Sequence, residues 1–337
     1  MPSEVEHIHA DPHWREGLQA ALEGRQFNLV MAIYGRLRLI AEALVGRTER
    51  LISVGGALAA YKGWMRVTDE HPWDTMEESP VPVKEDDALA SADGVDSFSK
   101  QVRESEKVVM RAHAEGRYNA THFRYPIVYG PRHIGAPEWS IIRRVRDGRK
   151  RVILPGGGMA LLSRGYASNI AHGLMLAVDK PEASGGQIYN ICDDRVLYNR
   201  EWVMMVAALL DWQFEFVEIP FDMLPAGFRA APTQTLFRWH RVMDTSKIRM
   251  QLGYGDPIPV EQALAETVQW YTERPVPPRG EVEQNNGDPF DYEVEDQIMQ
   301  LYDLGSKGLR DQLRAGPAAR VFWRHPYPHP KKPGDVR

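Results

Sequence analysis

The sequence predicts an α/β fold in which a doubly wound parallel sheet carries helices on both faces. Two short apolar runs and a third strand-like segment, each long enough for one buried strand, alternate with segments whose apolar residues recur at helical spacing. Strands buried on both faces are continuously apolar, and each parallel connection needs a crossover of helix length. The alternation of these two patterns therefore indicates a layered α/β domain.

The first half of the chain supplies the predicted sheet. Its apolar runs at 27–33 and 50–54 and the segment 119–128 are predicted strands, and the last two end at the turn residues Gly55-Gly56 and Gly130-Pro131. Apolar residues that share one helical face predict helices before and between these strands, at 11–24, 36–44 and 97–115.

Beyond Pro131 the pattern is mixed. We predict helices at 137–148, 169–179, 200–210 and 260–271, strands at 152–154 and 186–192, and a glycine turn at 155–158. From Arg274 the composition shifts to Pro, Gly, Glu and Asn, and the tail from Phe290 holds one short acidic helix. We therefore assign 1–275 to one domain, with a smaller mixed α/β substrate lobe mainly from 131–165 and 195–275, and 276–337 to a linker and C-terminal extension.

Composition excludes several classes of protein. The 337 residues are 43% hydrophobic and 26% charged, which is typical of a globular protein. The net charge of −5 gives no basic footprint for nucleic acid, and the sequence shows neither a membrane-spanning run nor a secretory signal. A single cysteine, Cys192, excludes an internal disulfide and fits a reducing compartment. We expect a cytoplasmic protein that acts on a small molecule, with neither nucleic acid nor membrane as its partner.

Four segments carry a family resemblance through their order and spacing. They are R-x-x-x-V-Y-G-P at 124–131, the segment 163–173, the Y-N-I strand at 187–191, and D-x-S-K followed by L-G-Y at 244–254. Together they resemble the extended short-chain dehydrogenase/reductase family, the NAD-dependent epimerase/dehydratase group. The resemblance implies a Rossmann-like NAD(P)-binding sheet, and an oxidoreductase or isomerase that transfers hydride at a hydroxyl- or carbonyl-bearing carbon of a small, sugar-like molecule.

The family's phosphate-binding opening has no counterpart in this sequence. That opening is a strand, a glycine-rich turn and a helix whose N-terminal amides hold the pyrophosphate, and no such segment precedes His7. We therefore expect the Rossmann-like sheet to be N-terminally incomplete, with Met1 an internal start or the product of a truncated gene model. Binding of NAD or NADP is expected to be weak or absent for the chain as it stands.

The resemblance also implies catalytic positions. In the family a Ser or Thr polarises the substrate oxygen, a Tyr is the general acid/base, and a Lys four residues later lowers the pKa of that tyrosine. Lys100 stands at the lysine position and Asp96 at the tyrosine position, where a carboxyl donates a proton at neutral pH only if burial raises its pKa. Ser53 or Tyr61 could contact the reacting oxygen instead; the alternatives are a strand-end hydroxyl and a packed aromatic.

Residues for the dinucleotide carry over in part. Asp11, Arg36, Tyr125 and Pro126 align with positions beside the cofactor in the family, and Lys100 would hold the nicotinamide ribose. Each of the first four has a structural alternative. Asp11 could cap a helix, Arg36 could begin one, and the other two could lie in the core.

Two arginines are candidates for substrate. Arg164 matches an arginine that holds the substrate pyrophosphate in nucleotide-sugar members, and Arg241 is a second candidate for a phosphate contact. A guanidinium fork suits that task. A surface ion pair is the alternative role.

Two other functions remain open. The run from His7 to His13 nearly matches the H-x-H-x-D-H of metallo-β-lactamase-like hydrolases, but Pro12 displaces the last histidine, so a metal site is not expected. The altered catalytic pair and the missing phosphate turn are also typical of a non-catalytic or regulatory protein that keeps the fold as a binding platform. Association through exposed apolar surface, for instance as a homodimer, fits that function.

Overall fold

The computed structural model describes residues 4–33, 36–57, 60–64, 79–90, 97–225 and 227–316. The chain divides into two compact units, Met1–Glu295 and Asp296–Arg337. The first unit holds the central sheet and the small strand pairs, and the second holds most of the last helix.

The helices follow the predicted order. They are α1 (Arg15–Ala21), α2 (Leu37–Ala43), α3 (Ser97–Ala114), α4 (Trp139–Arg146), α5 (Ala167–Asp179), α6 (Pro181–Ser184), α7 (Asn199–Ala208), α8 (Ser246–Leu252), α9 (Val260–Glu273), α10 (Glu281–Asn286) and α11 (Tyr292–Ala315). The strands are β1 (Phe27–Ala32), β2 (Thr48–Gly56), β3 (Asn119–Tyr125), β4 (Ile127–Tyr129), β5 (Arg151–Ile153), β6 (Leu161–Leu162), β7 (Arg164–Tyr166), β8 (Gln187–Asn190), β9 (Leu197–Tyr198) and β10 (Glu215–Val217).

The central sheet is four-stranded and parallel throughout, in the order β1-β2-β3-β8. Its register places Ser53 of β2 opposite His122 of β3, and Arg124 of β3 opposite Asn190 of β8. Successive side chains on a strand point to opposite faces, so alternate residues of β2 and β3 face different helices.

Helices cover both faces of this sheet. On one face Leu51 and Ala120 pack with buried residues of α2 and α3, including Ala41 and Val109. On the other face Ile52, Val54 and Phe123 pack with α5 and α8, whose inward residues include Ile170, Leu174 and Ile248. The molecule therefore has the three layers of a doubly wound α/β fold, and the predicted fold class is confirmed.

The remaining strands form three separate pairs. β4 pairs with β7 and β5 with β10, both parallel, and β6 pairs with β9, antiparallel. Around them α4, α7 and α9 share a large apolar cluster that includes Tyr129, Trp139, Trp202 and Leu264. This mixed region lies on either side of β8 in the chain and overlaps the segments assigned to the substrate lobe, and that assignment stays a prediction.

A buried ion cluster joins α4 to the end of the first unit. The Arg144 guanidinium, which is fully buried, donates to Asp288 at 2.5 Å and also to Glu295 in the first turn of α11. Both carboxylates are fully buried as well. One arginine therefore contacts two buried acids, and Arg149 lies 3.9 Å from Glu295 as a second positive charge.

Two element predictions differ from the structure. The run at 119–128 is two strands, because Pro126 has no N–H to donate to a neighbouring strand; β3 ends at Tyr125, and β4 pairs with β7 instead. The helix of the tail, predicted to be short, has 24 residues. Its acidic first turn suggested a brief polar helix, whereas apolar residues continue to recur as far as Leu313. No helix in the described part of the chain is long and apolar enough to span a membrane.

Candidate functional site

Polar side chains meet at the carboxyl ends of three neighbouring strands, which is where open parallel sheets bind ligands. Tyr61 follows β2, Arg124 is near the end of β3, and Asn190 ends β8. The Tyr61 hydroxyl donates to Asn190 Oδ1 at 2.5 Å and accepts from Arg124 Nη1 at 3.0 Å. All three residues are buried. Burial raises the pKa of Tyr61 to about 12, so its hydroxyl keeps the proton at neutral pH.

An ion pair anchors this network to α3. Arg124 donates from Nε and Nη2 to the two carboxylate oxygens of Glu106, each at 2.8 Å, in the bidentate geometry that holds a guanidinium most firmly. Burial opposes ionisation of Glu106, but the hydrogen bonds from Arg124 dominate and its pKa lies below the usual range. Glu106 thereby fixes the guanidinium that contacts Tyr61.

Ser53 lies on the same face of the sheet as Arg124, two residues before Gly55, which pairs with Arg124. Its hydroxyl is 2.8 Å from Nδ1 of His122, the residue opposite it on β3, and His122 Nε2 is 3.5 Å from a Glu106 oxygen. Ser53 and His122 are almost fully buried. Burial lowers the pKa of His122 to about 4, so the imidazole is neutral at pH 7. In this conformation the Ser53 hydroxyl is engaged within the core.

Lys100, the described catalytic candidate on α3, lies on a different side of that helix from Glu106. Ser99 and Glu106 are seven residues apart, share one face and are buried. Lys100 is exposed, and the half-buried Glu104 pairs with Lys107 at 2.8 Å. Asp96 lies outside the described residues. The structure therefore brings Tyr61 and Arg124 together but does not place Lys100 in their network, and the catalytic roles of Ser53, Tyr61, Asp96 and Lys100 stay predictions.

The segment 79–90 covers the ends of β3 and β8. Its Glu85 carboxylate accepts from the Asn190 backbone N–H at 2.8 Å, and its Glu85 carbonyl accepts from Arg124 at 2.9 Å. Desolvation raises the pKa of the Glu85 carboxyl. Beside it, an apolar cluster contains Tyr61, Trp64, Val83, Ala57, Cys192 and Met243.

The predicted cofactor residues lie in different environments. Asp11 is at the surface and accepts from the His13 backbone N–H at 2.9 Å. Arg36 precedes α2, is exposed and donates to Gln101 of α3. Tyr125 ends β3 and is half-buried against the sheet core, and Pro126 packs near Gly165. Their cofactor roles stay predictions.

Two observations test how far these residues fit a dinucleotide. A Cβ placed on Gly56, at the end of β2, would meet no described atom within 4 Å, and Ile33 after β1 is 59% exposed. The triple-glycine turn after β5 is filled instead, because a Cβ on Gly156 would lie 2.6 Å from Phe221. Among the described residues no glycine turn leads from a strand into a helix as a phosphate cradle does.

The two arginines predicted to bind substrate are buried; Arg164 belongs to β7 and Arg241 lies beside β6. Arg164 donates to Gln234 and Asn199, each at 2.7 Å, and its guanidinium stacks 4.3 Å from the centre of the Trp202 ring. Arg241 lies alongside Leu162 through a backbone bridge and stacks 4.2 Å from the Phe237 ring. Burial lowers the pKa of each to about 9. Arg164 is held by neutral oxygens rather than by a surface ion pair, and its substrate role stays a prediction.

Glu138, near Arg164, is a buried carboxyl with a raised pKa. It precedes α4, is fully buried, and neither carboxylate oxygen accepts a hydrogen bond from another described residue. Burial raises its pKa from 4.5 to about 7, although the Arg164 charge opposes that shift. The folded protein therefore holds this proton more tightly than the unfolded chain does.

We expect Glu138→Gln to remove a pH dependence of stability. Because the folded-state pKa is raised, the free energy of unfolding of the parent falls as pH rises from about 4.5 to 7. The difference between variant and parent should increase by about 2 kcal/mol from pH 5 to pH 8 in urea unfolding. The contribution of His122 is common to both proteins and cancels. The exposed control Glu23→Gln should give curves parallel to the parent, and parallel curves for Glu138→Gln would contradict the assignment.

The N-terminal histidines do not converge. The rings of His7 and His9 are 6.4 Å apart and exposed, and His13 contacts Asp11 at 2.7 Å. Among the residues that the structure describes, no group of three or more His, Cys, Asp or Glu side chains is arranged to hold a metal ion.

Sequence reasoning missed part of the site. Glu106, Glu85 and His122 were not candidates, whereas Arg124 and Asn190 appeared only as members of the family-like segments. The signal for Glu106 was available, because it falls at i+7 from Ser99 on the apolar face of α3, where a charged residue requires a buried partner. No sequence signal pointed to Glu85.

Comparisons with known proteins agree with this architecture. Residues 76–192 match the model of the NAD dependent epimerase/dehydratase family. A UDP-N-acetyl-alpha-D-glucosaminuronate decarboxylase from Bacillus cytotoxicus is 25% identical over 225 residues, which are 64% of this chain and 66% of that relative.

Two solved structures share the fold. The UDP-glucose 4-epimerase of Thermotoga maritima, solved with UDP-glucose, superposes with a TM-score of 0.61 at 15% identity, over 81% of this chain and 86% of that one. The dTDP-glucose 4,6-dehydratase of Bacillus anthracis, solved with NAD, gives a TM-score of 0.59 at 15% identity and 79% coverage of each chain. The resemblance predicted from the four segments is confirmed: the chain is similar to the NAD dependent epimerase/dehydratase family over residues 76–192, and it shares the fold of these epimerase and dehydratase structures.

Proposed function

We propose that this protein is an NAD(P)-dependent oxidoreductase of the epimerase/dehydratase type, acting on a hydroxyl- or carbonyl-bearing sugar joined to a nucleoside diphosphate. The observation that carries the proposal is the convergence of Tyr61, Arg124 and Asn190 at the carboxyl ends of three adjacent parallel strands. The sequence relative acts on a UDP-sugar, and the structural relatives were solved with UDP-glucose or NAD.

The chain's own residues suggest a division of tasks. Arg36 and the open edge at Ile33 and Gly56 would hold the cofactor, with Tyr125 and Pro126 beside its ring and Lys100 on its ribose. A bound nicotinamide would accept or return a hydride. The cofactor is expected to bind weakly, because no described residues form a glycine-rich phosphate cradle.

Proton handling would fall to Tyr61. Its raised pKa makes the hydroxyl a hydrogen-bond donor rather than a base, so it suits the polarisation of a carbonyl oxygen that replaces Asn190 as acceptor. Arg164 and Arg241 would pair with the substrate pyrophosphate, and the neutral contacts of Arg164 make such an exchange less costly there than breaking an ion pair.

A non-catalytic binding platform is the second candidate function. The observation that favours it is the engagement of both candidate hydroxyls inside the protein, Ser53 with His122 and Tyr61 with Asn190, under the segment 79–90. Such a protein would bind a ligand at this edge without turnover.

Hydride transfer distinguishes the two candidates. With NAD+ or NADP+ in excess, we expect UDP-N-acetylglucosaminuronate or UDP-glucose to produce the absorbance of reduced nicotinamide in a single turnover. Lys100→Met should lower that rate by about 100-fold through lost orientation of the ribose, whereas Lys107→Met, on the same helix and equally exposed, should leave it unchanged. No absorbance change and no cofactor binding by calorimetry would reject the enzyme and favour the platform.

A further inference from the structure

Arg164 is the centre of a buried group of polar side chains. Its Nε and Nη2 atoms lie on one edge of the guanidinium, and each donates at 2.7 Å to a side-chain amide oxygen, that of Gln234 and that of Asn199. The Trp202 ring covers one face of the same guanidinium at 4.3 Å. All four residues are buried. Two neutral amides therefore occupy the edge that suits a carboxylate or a phosphoryl group.

Three N–H donors around this guanidinium have no acceptor among the described residues. They are Asn199 Nδ2, Gln234 Nε2 and Trp202 Nε1. Buried polar groups are nearly always hydrogen-bonded, because an unpaired one is destabilising. Since every one of these nitrogens is a donor and lies near a cation, the group fits a ligand that is anionic and rich in acceptor oxygens.

Glu138 is an acid in the same buried group. Neither of its carboxylate oxygens accepts a hydrogen bond from another described residue, and the Arg164 charge favours its ionised form. An ionised Glu138 compensates Arg164 and repels an anion there. A neutral Glu138 leaves the Arg164 charge to the ligand and has an O–H to donate. Burial raises the pKa of Glu138 to about 7, so both forms are populated near neutral pH.

Other titratable groups face the same corner of the molecule. Tyr129 of β4 and Tyr271 of α9 are near enough for the Glu138 charge to raise the pKa of each, and burial keeps both hydroxyls protonated. Asp193, which follows β8, interacts with Arg164 and Tyr129, and desolvation raises its pKa too. One Asp193 oxygen already accepts from a backbone N–H and a side-chain amide. A variant of Glu138 separates the two acids.

We propose that anion binding at Arg164 is coupled to a proton on Glu138: a phosphoryl oxygen of the substrate binds while Glu138 is neutral and accepts its O–H. This inference rests on the proposed function, in which Arg164 pairs with the substrate pyrophosphate. One buried guanidinium cannot compensate two anions, so binding draws a proton onto Glu138 wherever that residue was ionised. Affinity is then highest at acid pH and falls as pH rises through the range in which free Glu138 ionises.

Calorimetric titration with UDP-glucose tests the coupling, because the pyrophosphate diester of this probe does not itself titrate near neutral pH. In two buffers of different ionisation enthalpy at pH 7.5, we expect uptake of about 0.8 proton per molecule bound. The dissociation constant should be about 10-fold larger at pH 8 than at pH 6. Glu138→Gln keeps an N–H donor without a charge, so it should take up no proton and bind equally at both pH values. The exposed control Glu23→Gln should behave as the parent does.

The indole donor provides a second test that involves no titration. Trp202→Phe keeps a ring against the Arg164 guanidinium but removes the N–H, so the dissociation constant for UDP-glucose should rise about 10-fold. Proton uptake should stay as in the parent. Trp14→Phe, at an exposed position, is the matched control and should bind as the parent does. Unchanged affinity of a folded Trp202→Phe, checked by circular dichroism, would overturn the role of this donor group.

The outcomes separate this inference from the proposed function. Binding of UDP-glucose without proton uptake, or with equal uptake by the parent and Glu138→Gln, overturns the coupling and leaves the substrate class standing. No binding of UDP-glucose or dTDP-glucose at any pH overturns both. Proton-coupled binding that Glu138→Gln abolishes, together with no hydride transfer in the single-turnover assay, supports the coupling and rejects the enzyme.

Discussion

Arg144→Met is expected to lower the free energy of unfolding by about 5 kcal/mol, the upper end of the range for breaking a buried ion pair. The substitution leaves Asp288 and Glu295 fully buried without the guanidinium that contacts both. A loss of this size is comparable with the whole stability of many domains. Urea unfolding at low temperature, followed by circular dichroism, measures it.

Two further variants separate charge compensation from packing at this cluster. Arg144→Lys keeps a positive charge but cannot reach both carboxylates with a planar fork, so an intermediate loss is expected. Adding Asp288→Asn to Arg144→Met removes one uncompensated charge and should recover part of the stability. If the double variant is less stable than Arg144→Met by the full cost of Asp288→Asn alone, the two residues are energetically independent and the interpretation fails.

Arg124→Met is expected to cost about 3–5 kcal/mol of unfolding free energy, because it leaves the Glu106 carboxylate buried and unpaired. The pH dependence should also reverse. In the parent the lowered pKa of Glu106 contributes stability above about pH 4.5 that is lost as pH falls through the folded-state value. In the variant burial acts unopposed and raises that pKa, so stability should fall as pH rises.

Glu106→Leu combined with Arg124→Met provides the matched control for this pair. Replacing both partners removes the unpaired charge, so the double variant should be more stable than Arg124→Met alone. It also removes the hydrogen bond that Arg124 donates to the Tyr61 hydroxyl, while that hydroxyl can still donate to Asn190. Equal stabilities of the double variant and Arg124→Met would show that the ion pair is not the source of the loss.

Most of the sheet could be predicted because its strands are short and alternate with helical patterns. The runs at Phe27, Arg50 and Asn119 each became a parallel strand, and the helical pattern from Ser97 became α3. β4 pairs with β7 and not with the central sheet because Pro126 interrupts the strand. A hydropathy pattern does not show this effect of proline. The length of α11 was underestimated, although apolar residues recur along it as far as Leu313.

Much less of the site could be predicted, because side-chain partners depend on register. Family-like spacing identified Lys100 and Ser53, but it did not reveal that α3 turns Glu106 inward and Lys100 outward. The pairing of Ser53 with His122 follows from the alignment of β2 with β3, which the sequence alone does not contain. Tyr61 was the one candidate that the structure placed in the network with Arg124 and Asn190.

The order of the central sheet also bears on how the protein is synthesised. β1, β2 and β3 are consecutive in the chain, but β8 pairs with β3 only after the residues of β4 to β7 have been made. Until Gln187–Asn190 leaves the ribosome, one side of β3 has no strand to bond, and an open strand edge is a site for misassembly. Nascent chains halted before residue 187 should therefore depend on chaperones more than chains halted after it.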